Sequence, residues 1–163
     1  MLTLDPGNRT AQLGLAKAVL ASNPAEAEKL YVAYLSHDPH NTDALNNLGV
    51  ARDMQAHHAE AQIAYRRALE IAPDLDSARE NLGLSLAMSG QASNGAAMIG
   101  QVANDGTNDR RTRDNFALAL ELAGRSAEAD KMLREELSAT DAQAALAGYS
   151  EFSSNRRAAT TTP

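Results

Sequence analysis

The chain alternates short apolar-periodic stretches with polar turns, and the apolar residues recur at helical rather than strand spacing. Leu45, Leu48 and Ala51 share one face of a predicted helix, and Ala61, Tyr65 and Ala68 share one face of the next. The pattern then repeats. Leu48, Leu82 and Phe116 stand 34 residues apart, as do Gly49, Gly83 and Ala117. Ala61, Gly95 and Ala129 keep the same interval, followed by Tyr65, Ile99 and Leu133, and Pro39 and Pro73 are also separated by 34. A fixed period of this length is the mark of a repeat array built from one supersecondary unit.

Each unit reads as two antiparallel helices and two turns. The small residue after Leu48 allows close approach of the helices, and Tyr65 fills the space beside it. Pro73 lacks a backbone donor, so the second helix ends just before it. Thr42 and Asp76 are the expected N-caps of the helices that follow, and Thr140-x-x-Gln143 reads as a capping box that opens a last, short helix through Phe152.

This pattern resembles the tetratricopeptide repeat, written W-x2-L-G-x2-Y, then A-x3-F, then P. Residues 42–75 match it with Leu45 in the Trp place, Leu48-Gly49, Ala61, Tyr65, Ala68 and Pro73, and depart from it at Arg52, where Tyr is usual. Residues 76–109 keep Leu82-Gly83 and Ile99 but carry Gly95 for Ala and Thr107 for Pro. Residues 110–143 keep Phe116-Ala117, Ala129 and Leu133, with Glu136 in place of a small residue. Residues 9–41 fit with Leu15-Ala16 as the Leu-Gly pair and one deletion near Ser22-Asn23; Leu13-Gly14 is the alternative register. The resemblance implies an all-α fold, an α-α superhelix of about four helix-turn-helix repeats (9–41, 42–75, 76–109, 110–143) with a capping helix to about residue 152. Residues 1–8, through Leu2-Thr3-Leu4-Asp5-Pro6, read as the end of a preceding repeat or the remnant of a leader. Residues 153–163 have no periodicity and are expected to be a disordered tail.

The same resemblance implies that the first helices line a concave groove. Repeat position 6 then offers Asn47, Asn81 and Asn115, whose amides carry donors and acceptors suited to an extended peptide backbone. Positions 9 and 13 read Val50, Leu84, Leu118 and Met54, Met88, Leu122. Within each helix these two positions are four residues apart and therefore share a face. An apolar strip of this kind suits a peptide or amphipathic helix of a protein partner, with Met supplying adaptable contact. Burial of the strip by the terminal helix, by superhelical twist or by self-association is the competing expectation. A clamp on a C-terminal carboxylate, another use of the fold, would need Lys or Arg where Ser77 and Asn81 stand.

Composition narrows the functional classes. The 163 residues include 33 Ala but four Tyr, two Phe and no Trp, consistent with helices packed through small side chains. No Cys is present, which removes disulfides, thiolate metal sites and thiol nucleophiles. The net charge of −6 argues against nucleic acid as a partner. His37 and His40 enter one first helix while His57 and His58 leave it, about 20 Å away along the helix. No single ion bridges that distance, and solvated turn histidines are expected rather than a metal site. The glycines form no phosphate loop, and Gly95 and Gly100 inside one helix predict a soft element over 92–104. Glu60, Asp130, Glu135 and Glu136 are expected on solvent faces. Nothing assembles a nucleophile, a base and an orienting group, so the chain is expected to be no enzyme and to need no cofactor.

Two Ala-rich stretches, Asn115-Phe116-Ala117-Leu118-Ala119-Leu120-Glu121-Leu122-Ala123-Gly124-Arg125 and Ala51-Arg52-Asp53-Met54-Gln55-Ala56-His57-His58-Ala59-Glu60-Ala61, are similar to the repeat lipoproteins of bacterial tight-adherence (Flp) pilus assembly. That resemblance implies a periplasmic, outer-membrane-associated, pilotin-like assembly factor, with a secretin or other pilus component as partner and a lipid anchor that this chain does not contain. A cytoplasmic scaffold or chaperone for another complex is the alternative.

Overall fold

The computed structural model describes residues 9–104, 109–135 and 137–160, with side chains described through residue 154. The expected leader or repeat remnant over 1–8, and Gly106, Thr107 and Glu136, lie outside the described residues. All regular structure among them is helical, in the order α1 (Arg9–Val19), α2 (Pro24–Leu35), α3 (Thr42–Asp53), α4 (His58–Ile71), α5 (Asp76–Met88), α6 (Ala92–Asn104), α7 (Arg110–Leu122), α8 (Ser126–Arg134) and α9 (Ala139–Thr160). Where the connecting residues are described, short turns join successive helices, as in helical repeat proteins. Two compact units divide within α5, one up to Ser85 and the other from Leu86.

In the first unit α1 packs on α2, α2 on α3 and α3 on α4. Its core is built of alanines around two phenols. Ala16, Ala27, Tyr31, Tyr34, Ala44, Leu48, Ala51 and Ala64 form one cluster, and Leu45, Ala68 and Ala78 form another. Tyr65 is buried against Gly49, whose missing side chain makes the room. In the first repeat Ala16 is fully buried in the cluster with Tyr31, while Gly14 is exposed with nothing near it. Leu15-Ala16 is therefore the pair that matches Leu48-Gly49.

In the second unit α6 packs on α7, α7 on α8 and α9, and α8 on α9. Ile99, Val102, Leu120 and Leu133 are its largest buried side chains, set among Ala96, Ala117, Ala119, Ala129 and Ala142. The expected soft element over 92–104 is a continuous helix with Gly95 and Gly100 both buried. Gly100 has a packing reason: a Cβ there would stand 3.0 Å from Cζ of Phe116. The glycine that weakens α6 locally lets an aromatic ring lie against it.

The helix starts differ from expectation in three places. Asn41, not Thr42, caps α3, its Oδ1 accepting from the Ala44 amide at 2.9 Å. Asp76 is the first residue of α5 rather than its cap, and its carboxylate takes a hydrogen bond from Arg79 at 2.7 Å. Helix α9 begins one residue before Thr140, where Ser138 accepts from the Asp141 amide at 3.2 Å and donates to the Asp141 carboxylate at 2.7 Å. At α3 and α9 a side chain one or two residues upstream already takes an orphan amide, and at α5 the Leu75 carbonyl accepts from Ala78 and Arg79. Asn23 caps α2 with Pro24 at its first position, and Asp109 caps α7.

The far end differs most. Helix α9 runs to Thr160, eight residues beyond the expected end at Phe152, so 153–160 are helical rather than disordered; residues 161–163 lie outside the described residues. The cause is a fifth turn of the repeat register. Ala51, Ser85, Ala119 and Ser153 are spaced by 34 and all are buried. Positions of α9 that would pack on a following second helix hold Ser150, Glu151 and Ser154, all exposed. Helix α9 is thus a first helix whose second-helix face is polar, which is what the last element of an array requires.

Candidate partner-binding face

The nine residues expected to meet a partner fall on three first helices, and the two units hold them separately. In the first unit, Asn47 and Val50 on α3 and Asn81 and Leu84 on α5 are half-buried, and Met54, just past the end of α3, is 50% exposed. In the second, Met88 at the end of α5 and Asn115, Leu118 and Leu122 on α7 are half-buried. Each apolar member is neither lost in the core nor fully in water.

The amides are partly engaged within the fold. Asn81 Nδ2 donates to Asn46 Oδ1 at 2.9 Å, tying α5 to α3. Asn47 faces Tyr31: burial pushes that phenol up and the Asn47 amide works against the rise, although the buried hydroxyl makes no hydrogen bond of ordinary geometry. Asn81 therefore reaches a partner with fewer free donors than its sequence position implies.

Beside this face lies a polar junction that periodicity alone does not reveal. Asp53, in the last turn of α3, accepts from Tyr65 Oη at 2.9 Å and from Ser85 Oγ at 2.8 Å, and pairs with His58 Nδ1 at 2.8 Å. One carboxylate so joins α3, α4 and α5. Burial and the adjacent Asp53 together hold the Tyr65 phenol far above its ordinary value, so it stays a donor. His58 is the first residue of α4 and is hydrogen-bonded to Asp53, not a solvated turn residue; His37, His40 and His57 are exposed as expected. Arg52, the departure from the repeat pattern, donates to Glu28 at 2.8 Å and to the Glu60 carbonyl at 3.2 Å, linking α2, α3 and α4 where an aromatic ring is usual. Its hydrogen bond, with a second from Gln55, keeps the Glu28 carboxyl below the ordinary range.

The second unit has a counterpart on α9. Tyr149 stands 34 residues after Asn115 and lines a cleft with Asp114, at the same 35-residue separation as the Asn46–Asn81 link. Burial and Asp114 push its phenol up to about 12. A cleft of about 550 Å³ opens between α7 and α9, lined by Arg110, Arg113, Asp114, Asp141 and Tyr149. Phe152, 34 residues after Leu118 and 39% exposed, extends the apolar row onto α9. Both residues were legible in the spacing once the register was carried past residue 143.

Among the described residues no group of three or more His, Asp or Glu is placed to hold a metal ion, and no helix is long and apolar enough to cross a membrane. Of the expected solvent-facing acids, Glu60 and Glu135 are exposed, and Asp130 pairs with Arg134 at 2.7 Å.

No protein-family profile matches the chain, and no curated protein does. Solved structures do. The chain is similar to MamA, with 23% identity and a TM-score of 0.69 over 86% of this chain and 82% of that one. It is similar to TTC0263, a tetratricopeptide-repeat protein of Thermus thermophilus, at 18% identity and a TM-score of 0.71, over 89% of this chain and 82% of that one. It also matches part of the O-GlcNAc transferase of Thermobaculum terrenum at 24% identity and a TM-score of 0.69, covering 83% of this chain but 27% of the enzyme.

Proposed function

We propose that this chain, which has the tetratricopeptide-repeat fold, is a non-enzymatic scaffold that binds a peptide or amphipathic helix of a partner protein along its first helices. The observation that carries this reading is the half-buried state of Val50, Leu84, Met88, Leu118 and Leu122 together with the half-exposed Met54. Apolar side chains left partly in water on successive first helices gain by burial against a partner, at about 25 cal/mol per Å². The internal engagement of Asn81 shifts the weight of recognition from backbone hydrogen bonds towards apolar contact. Among the described residues no constellation of nucleophile, base and oxyanion donors accompanies the strip, and the likeness to an O-GlcNAc transferase extends over about a quarter of that enzyme.

The finer reading, a periplasmic assembly factor of a tight-adherence pilus with a secretin or another pilus component as partner, is supported by the two Ala-rich stretches around Ala51 and Asn115. A cytoplasmic scaffold would use the same face on another complex.

The test is recovery of partner proteins by the full chain and by variants. A Leu84→Glu, Leu118→Glu double substitution is expected to abolish recovery of the main partner. Met54→Glu, on an exposed side chain that the fold does not need, is expected to reduce it at least about tenfold while leaving thermal melting unchanged. Equal recovery by wild type and Met54→Glu, and by the double variant, overturns the reading. Identification of the recovered protein as a pilus component decides the finer one.

A further inference from the structure

A second exposed apolar surface lies on the second helices of the first unit. Ile63 of α4 is 62% exposed, more than any other large apolar side chain described, and Val32 of α2 is 47% exposed. Between them a cleft of about 370 Å³ opens between α2 and α4 and is floored by Leu35, Leu45 and Leu48. An exposed isoleucine beside an apolar cleft is costly to leave in water.

The charges around Ile63 say what covers it. Glu60 lies three residues before it and Arg67 four residues after, so the three share one face of α4. Both charged side chains are exposed, and neither carries an ion pair among the described residues. Arg66, by contrast, is engaged with Gln62 at 3.3 Å. The order acid, isoleucine, base reads the same when the helix is met by an antiparallel copy of itself. With a two-fold axis beside Ile63, Glu60 of each copy stands opposite Arg67 of the other. Each Ile63 then lies over the other copy's cleft.

We propose that this chain forms a two-fold symmetric dimer through α4, with Ile63 of each copy seated in the cleft between α2 and α4 of the other and two reciprocal Glu60–Arg67 ion pairs beside it. The contact is isologous, so both halves close with the same residues and no open surface remains to propagate. It uses the second helices and leaves the first-helix face available, so it stands or falls independently of partner binding there.

Sedimentation velocity of the full chain, over roughly 1–500 µM, reads the equilibrium. The expected result is a monomer–dimer equilibrium whose dissociation constant Ile63→Asp raises by at least about tenfold. Glu60→Arg and Arg67→Glu each place like charges across the axis and are expected to weaken the dimer by about threefold to tenfold. The combined Glu60→Arg, Arg67→Glu chain regenerates both pairs in reverse and is expected to return to within about threefold of wild type. All three positions are on the surface, and unchanged circular dichroism melting of the isolated monomers confirms that the fold is intact. A wild type that stays monomeric throughout, a dimer indifferent to Ile63→Asp, or a double reversal no better than the single ones each overturns the proposal. Tighter association of α4 with a different protein, in preference to a second copy, overturns it as well.

Discussion

The ring of Tyr65 occupies the space that any side chain at Gly49 would need. A Cβ built on Gly49 would stand 2.6 Å from Cζ and 2.7 Å from Cδ1 of that ring, and closer still to Cε1. The ring cannot retreat, because Tyr65 is buried and its hydroxyl is anchored on Asp53. Gly49→Ala is therefore expected to destabilise the protein by about 1–3 kcal/mol, against the usual gain from replacing Gly in a helix. Urea unfolding followed by circular dichroism measures it. Gly14 supplies the opposite sign. It lies inside α1, exposed and with open space around its would-be Cβ, so Gly14→Ala is expected to stabilise by about 0.5–1 kcal/mol. An equal response at the two positions would contradict the assigned register.

Tyr31 and Tyr65 hold matching places in successive repeats yet differ in what their hydroxyls meet. Tyr65 donates to Asp53, whereas four residues after Ala16, where Asp53 stands after Gly49, the first repeat has Leu20. The Tyr31 hydroxyl is left buried without a bonded acceptor. Tyr65→Phe is expected to cost about 1–3 kcal/mol, because it also strips a donor from the Asp53 carboxylate. Tyr31→Phe is expected to change stability by less than about 0.5 kcal/mol, or to raise it, because an unsatisfied polar atom is removed. Both are read from the midpoint of chemical denaturation.

How much of this was legible in the sequence follows from what each contact depends on. Gly49 with Tyr65, and Ala16 with Tyr31, are fixed by volume, and volume recurs with the 34-residue period, so the helix pairs and their register could be read directly. Helix starts were missed by one or two residues because Asn41, Thr42 and Ser138, Thr140 are all plausible caps, and only backbone geometry chooses among them. The junction on Asp53 was invisible because its members belong to three helices, and volume explains Tyr65 and a turn explains His58 without it. The helix over 153–160 was missed because composition was weighed there instead of spacing. Ser153 falls 34 residues after Ala119, and the burial that follows from the register outweighs a polar, low-complexity appearance. For the proposed partner-binding face, sequence named the side chains but not the amide link to Asn46 that draws Asn81 into the fold.

Ser153 gives that last point a measurable form. It is 4% exposed, at the position that Ala51, Ser85 and Ala119 occupy in the preceding first helices. A leucine there has no space, so Ser153→Leu is expected to destabilise by about 1–3 kcal/mol through overpacking. Ser154→Leu, one residue on and exposed, is expected to stay within about 0.5 kcal/mol of wild type. A disordered segment would respond alike to both, so thermal melts of the pair discriminate a packed helix from a loose tail.

Tyr149 links the second unit's stability to alkaline pH. Burial, reinforced by the charge and hydrogen bond of Asp114 and opposed by Arg110, raises its phenol from 10.0 to about 12. The folded state thus favours the neutral phenol more than the unfolded chain does. Its stabilising contribution is complete below pH 10, where both states are protonated, and is lost as pH rises towards 12 and the folded form must ionise too. Ultraviolet titration of the phenolates should show a step at about 12 that is lost in Tyr149→Phe. In Asp114→Asn the repelling charge is gone and the step should move back towards 10, while loss of Arg110, as in Arg110→Gln, should move it further up. A step that ignores Asp114→Asn would mean that Tyr149 does not face that carboxylate.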